Sequence, residues 1–176
     1  MELAINEIKL QAKKLHKRLK SGEMITAKIE KQLTRLNTNL TELKLKHCLT
    51  IVSQQLGFVH WHQAHQFFSG ISENNTPLNW GTYLYPEQND VFINEWFADY
   101  SQAKIVLEKH PQIKWLLPYK QQFIVVEKDF IDRFKLDPQA TELWRFINHD
   151  LKASYNSKAW DHVTAAILKQ RFLNVT

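Results

Sequence analysis

The chain has 176 residues, 44% of them hydrophobic and 12% aromatic, enough for a packed core in one ordinary domain or two small ones. Its formal net charge is +5, and a single cysteine, Cys48, excludes an internal disulfide and points to a reducing, cytoplasmic setting. The segment MELAINEIKLQAKK lacks the apolar run of a secretory signal, and no stretch approaches the roughly 20 apolar residues of a membrane helix.

The charge is unevenly spread. Residues 1–70 hold 11 Lys/Arg against 5 Asp/Glu, and residues 71–176 hold 12 against 13. No Phe, Trp or Tyr precedes Phe58. The division predicts a basic helical module over 1–70, a linker over 71–90 and an aromatic-rich α+β domain over 91–176. A basic end of this kind points to a polyanion.

In chain order, Ile5, Ile8, Ala12, Leu15 and Leu19 form one amphipathic stripe that Ser21-Gly22 ends. Ile25, Ile29, Leu33 and Leu36 form a second, and the short connection predicts an antiparallel helical hairpin. A third stripe is Leu45, Leu49, Val52 and Leu56, with Asn39 and Glu42 as its expected capping box. Gly57 ends it. A fourth helix is expected over 60–68, so that the pair resembles a helix-turn-helix in outline.

The stretch GFVHWHQAHQFF, residues 57–68, admits three readings. His62 and His65 lie one helical turn apart behind His60, a spacing that suits a shared metal, but no carboxylate or second cysteine completes a site. Gln63 and Gln66 on a recognition helix suit adenine edges, but no Lys or Arg occurs between Lys46 and Lys104 to hold phosphates. The third reading is packing. Trp61, Ala64 and Phe68 cover the face of the preceding helix, Phe58 fills the corner, and the histidines face water.

The segment LKLKHCLTIVSQQLGFVHWHQAHQFF, residues 43–68, resembles a small helical module found in many bacterial proteins, including ones described as glyoxalase-related. The resemblance rests on Leu45, Leu49, Ile51 or Val52, Leu56, Gly57, Phe58 and Trp61. These are packing and turn positions, so it implies a helical fold and no activity.

Lys9, Lys13, Lys17 and Lys20, spaced 4, 4 and 3, line one face of the first helix, with Lys14 and Arg18 beside them. These six are the candidate nucleic-acid contacts. A phosphate backbone suits such a field, and an acidic protein surface suits it too.

Residues 69–90 are rich in Gly, Asn, Pro and Ser, with a short strand expected at Trp80–Tyr85. An apolar segment follows at 91–97. A helix near 100–109 comes next, capped by Asp99 and closed by Pro111. Two strands are expected at 113–117 and 122–127, joined by Pro118-Tyr119-Lys120-Gln121. A short helix then stops before Pro138, and two more cover 139–150 and 157–172. The stretches FINEWFADYSQA, WLLPYKQQFIVVEKDFI and LDP, within 91–138, resemble a family of small bacterial proteins with no known activity. That resemblance implies a folding unit alone.

Catalytic constellations are sparse. No P-loop, GxGxxG or HExxH occurs. His149-Asp150, with His162 nearby, is a metal-hydrolase candidate. Glu127, Asp129 and Asp132 read as helix-capping carboxylates, and Cys48 as a buried thiol.

The expected protein is therefore mainly α with a small α+β unit. An N-terminal helical hairpin and a helix-turn-helix-like pair precede C-terminal helices around a short β-hairpin. The leading function is a non-enzymatic binding or regulatory protein without a cofactor, its basic helices contacting nucleic acid or an acidic partner. The alternatives are a small metal-dependent hydrolase, using His149, Asp150 and His162 or the His60/His62/His65 group, and a protein-interaction adaptor.

Overall fold

A computed structural model describes residues 2–70, 94–119, 122–136 and 138–173. The protein is mainly helical with a small antiparallel sheet, as the periodicities predict. The helices are α1 (Leu3–Lys20), α2 (Ala27–Arg35), α3 (Leu45–Gln55), α4 (Trp61–Phe68), α5 (Tyr100–Lys109), α6 (Lys128–Asp132), α7 (Pro138–Phe146) and α8 (Lys158–Leu173). The strands are β1 (Glu95–Phe97), β2 (Lys114–Tyr119) and β3 (Gln122–Glu127), in the order β1-β3-β2. The expected linker and its strand at Trp80–Tyr85 lie outside the described residues.

The buried residues of α1 are those of its stripe: Ile5, Ile8, Ala12, Leu15 and Leu19, with Ala4 and Glu7. Its packing partners differ from the expected hairpin. α1 lies chiefly against α3 and α8, and α2 packs on α3. The reason is length. α1 must cover an apolar stripe that runs the length of an 18-residue helix, whereas α2 has nine residues and buries only Gln32 and Leu33.

Asn39 does not cap α3. Its side-chain oxygen accepts from Thr41 N and Glu42 N, each at 3.0 Å, and closes a turn before the helix. α3 starts instead at Leu45, and Lys44 N donates to His47 Nδ1 at 3.2 Å. Its buried face is Cys48, Ile51, Val52 and Ser53, rotated from the predicted one, and Leu45 is exposed.

The β2–β3 hairpin pairs from Lys114 opposite Glu127 to Tyr119 opposite Gln122, so the strands run closer to the turn than the sequence suggests. β1 adds a third strand, with Trp96 opposite Ile124. The period-2 alternation is buried on both faces. Leu116 and Val125 pack with Ala103 and Leu107 of α5, while Trp115, Leu117, Ile124 and Val126 enter the main core.

α7 ends at Phe146, four residues before the expected end. Asn148 (φ 50°) and His149 (φ 57°) are both left-handed and turn the chain out of the helix. The chain then runs beside β2: Leu116 N donates to His149 O at 2.8 Å and Leu151 N to Leu116 O at 3.1 Å.

One hydrophobic cluster extends from Ala4 to Phe172 and draws on both charge halves of the chain. The break in charge near residue 70 is thus not a break in the core. Three polar contacts reinforce this. The carboxylate of Asp161, in the first turn of α8, accepts from the backbone N–H groups of Glu2 (2.9 Å), Leu3 (3.1 Å) and Ala4 (3.1 Å). Arg171, at the other end of α8, donates to Gln55 O at the end of α3, and Tyr155 Oη donates to Phe67 O at the end of α4. A carboxylate at a helix N-terminus and a guanidinium at a helix C-terminus both oppose the macrodipole. Helix ends of the first half are thus satisfied by side chains of the second.

Replacing Asp161 by Asn sets an amide against three N–H donors and removes the charge. An expected loss of about 2–3 kcal/mol follows, measured by urea unfolding at neutral pH. An unchanged unfolding midpoint would contradict the cap.

Candidate nucleic-acid interface

All six candidate cations on α1 are exposed. The apolar stripe dictates this, because burying Ile8, Ala12, Leu15 and Leu19 turns the opposite half of the helix to water. At about 100° per residue, Lys9, Lys13, Lys17 and Lys20 fall within roughly 80° of arc. Lys14 and Arg18 extend the field to about half the circumference.

The six are not equivalent. Arg18 Nε pairs with Glu23 at 2.6 Å. Lys20 Nζ donates to Leu40 O at 2.9 Å and Thr41 O at 3.1 Å, and so ties the end of α1 to the turn before α3. Lys9, Lys13, Lys14 and Lys17 make no ion pair among the described residues. Leu10, 45% exposed, sits among them, and α1 bears no Phe, Trp or Tyr; its one ring, the half-buried His16, lies 3.4 Å from Leu43 O through Nε2. The face therefore suits a phosphate backbone and offers no Phe, Trp or Tyr ring for base stacking.

α4 is occupied otherwise. His60 Nδ1 accepts from Gln63 N at 3.1 Å, and Gln63 Oε1 accepts from Val59 N at 2.7 Å. This is an N-cap in which histidine replaces the usual serine or threonine, with Gln63 reaching one residue beyond the cap to the Val59 amide. Gln63, proposed for adenine reading, is thus half of a helix cap. Ala64, Phe67 and Phe68 are buried, and Phe58 packs at 5.4 Å and 5.6 Å from the rings of Phe67 and Phe68. Packing therefore describes this stretch.

The candidate metal ligands are not brought together: among the described residues, no three His, Cys, Asp or Glu side chains converge as a ligand set. His60 and His62 are exposed, and His65 packs its ring edge-on to Trp61. His149 stacks on Trp115 at 4.4 Å with its Nδ1 3.1 Å from Lys114 O. Asp150 accepts from Tyr100 Oη at 2.6 Å and Ala153 N at 2.9 Å. His162 is exposed on α8. Asp132 pairs with Lys128, and Cys48 is buried with its thiol pushed up to about 11 by desolvation, which keeps it protonated and inert.

The buried carboxylate that matters most, Asp161, was not among the sequence candidates. A signal existed: Asp161 stands on the same helical face as Thr164 and Leu168, among the buried positions Trp160, Val163 and Ile167. A lone acid on an apolar stripe needs a partner, here the amides of α1.

Among the described residues no helix is long and apolar enough to cross a membrane. No family model, curated protein or solved structure shows significant similarity to this chain.

His149 carries a pH dependence. Burial, with the Arg145 charge adding to it, lowers its pKa below 6.5 against the opposing hydrogen bond to Lys114 O. The unfolded ring therefore takes up a proton first. Its share of stability is complete above pH 6.5 and is lost as pH falls from there toward the lowered folded value. His149→Asn, which tolerates the left-handed backbone, is expected to flatten the fall in stability between pH 7.5 and 5.5, read by chemical unfolding at each pH. A wild-type slope retained in the variant would contradict it.

Proposed function

We propose that this chain is a non-enzymatic, cytoplasmic binding or regulatory protein that holds nucleic acid through the phosphate backbone. The observation that carries this reading is the set of four exposed α1 lysines, Lys9, Lys13, Lys14 and Lys17, without carboxylate partners among the described residues. None of them ties α1 to another element by an ion pair among the described residues, and like charges so close repel. An anionic partner relieves that repulsion and releases counterions, which gives a salt-dependent affinity without base specificity. The chemistry of an acidic protein surface is the second candidate, favoured by Leu10, whose exposed apolar side chain suits protein contact more than phosphate.

Fluorescence anisotropy with short duplex and single-stranded oligonucleotides, titrated with salt, tests the proposal. Micromolar binding at low salt is expected, with little preference between sequences. Lys→Gln replacement at 9, 13, 14 and 17 together is expected to reduce the log–log salt slope by about 3–4 for duplex DNA. Absence of binding at low salt, or an unchanged slope in the fourfold variant, would overturn it.

A further inference from the structure

We propose that the groove between α2 and the α3–α4 corner is a separate site for an organic phosphate of nucleotide size. It uses none of the α1 cations, so it stands independently of the reading above. The groove is an open depression of roughly 520 Å³, wide enough to seat a small ligand with one side in solvent.

One wall is cationic. Lys28, Lys31 and Arg35 all line the groove, and their spacing of 3 and 4 puts them within about 60° on one side of α2. Glu30 falls toward the other side of the helix at the same pitch. None of the three cations makes an ion pair among the described residues. Three like charges over about 10 Å make a local positive potential that a doubly charged phosphate ester neutralises.

The other wall is neutral and has defined polarity. Val59 O can only accept, so Gln54 presents Nε2 to it, at 3.2 Å. Gln54 Oε1 is left to accept from Gln32 Nε2 at 3.1 Å. Both amide orientations follow from that chain. Gln32 Oε1 then accepts no hydrogen bond among the described residues, although Gln32 lines the groove and is only 7% exposed. A buried acceptor without a donor is unfavourable, and a ligand hydroxyl or amine satisfies it when the Gln32 amide turns toward the groove and gives up its bond to Gln54. Val59, 68% exposed, offers apolar contact to the body of such a ligand. The site thus asks for an anion attached to a donor-bearing body. A nucleoside monophosphate has that chemistry and that size.

The test is a titration of the full chain with adenosine 5′-monophosphate, with adenosine and inorganic phosphate as separate arms, followed by two-dimensional amide NMR. The nucleotide is expected to shift the resonances of residues 28–35 and 57–59 and the side-chain amides of Gln32 and Gln54. Its affinity is expected to exceed that of either fragment by about tenfold or more. Lys28→Gln, Lys31→Gln and Arg35→Gln together are expected to weaken it by about tenfold or more, whereas the fourfold α1 variant leaves it unchanged. All seven side chains are exposed, and a dispersed spectrum verifies the fold of each variant. No shift in the groove at millimolar nucleotide would overturn the proposal. So would phosphate alone binding as tightly as the nucleotide, or a loss caused by the α1 variant instead of the α2 variant.

Discussion

The carboxylate of Asp161 against the first amides of α1 is the contact on which the arrangement of this protein depends. A helix leaves its first N–H groups without intrahelical partners. α1 begins with no side-chain cap of its own, and Glu2 makes none. The acceptor comes instead from α8, more than 150 positions along the chain. Apolar burial presses α1 against α3 and α8 but specifies direction weakly, since one leucine stripe slides past another at modest cost. Three hydrogen bonds to one buried charge have a single solution. They set the axial position of α1, and with it the position of every lysine along its outer face.

That linkage connects fold to charge. The inner half of α1 is committed to the core by Ile5, Ile8, Ala12, Leu15 and Leu19. The outer half has no structural duty except at its end, where Arg18 and Lys20 tie down the following turns. Lys9, Lys13, Lys14 and Lys17 are the residue of that subtraction. A rigid helix presents them at fixed spacing, which a flexible basic tail does not. Cations on α2 are set apart because α2 packs on α3 rather than along α1. The molecule accordingly carries two positive features of different shape, an open convex face and a concave groove.

Much of this was legible in the sequence where local periodicity governs. The stripe of α1, the Asp99 cap, the β2–β3 hairpin and the packing role of Phe58, Ala64 and Phe68 all follow from spacing and residue type. The Asp99 carboxylate accepts from Ser101 N and Gln102 N as its position suggests. What spacing does not encode is which stripe meets which. The expected α1–α2 hairpin gives way to α1 against α3 and α8 because total buried area, not loop length, decides the pairing. The left-handed pair Asn148-His149 was equally hidden, since only the nearby edge of β2 makes that turn worth its strain. In the site, the six α1 cations were visible by type and pitch, but the separation of four unpaired lysines from two structural cations required the coordinates. Asp161 was visible in the sequence only as an acid on an apolar stripe, and spacing does not say that its partners are the first amides of α1.

Amide hydrogen exchange at Leu3 and Ala4 measures the central contact most directly. Amides in the first turn of an ordinary helix exchange nearly as fast as in an unstructured peptide, because nothing accepts from them. With Asp161 in place, these two are expected to be slowed by roughly a hundredfold or more and to open together with the amides of α8. Exchange at the unprotected rate would show that α1 is not held by the carboxylate, and the fixed placement of its cationic face would lose its physical basis.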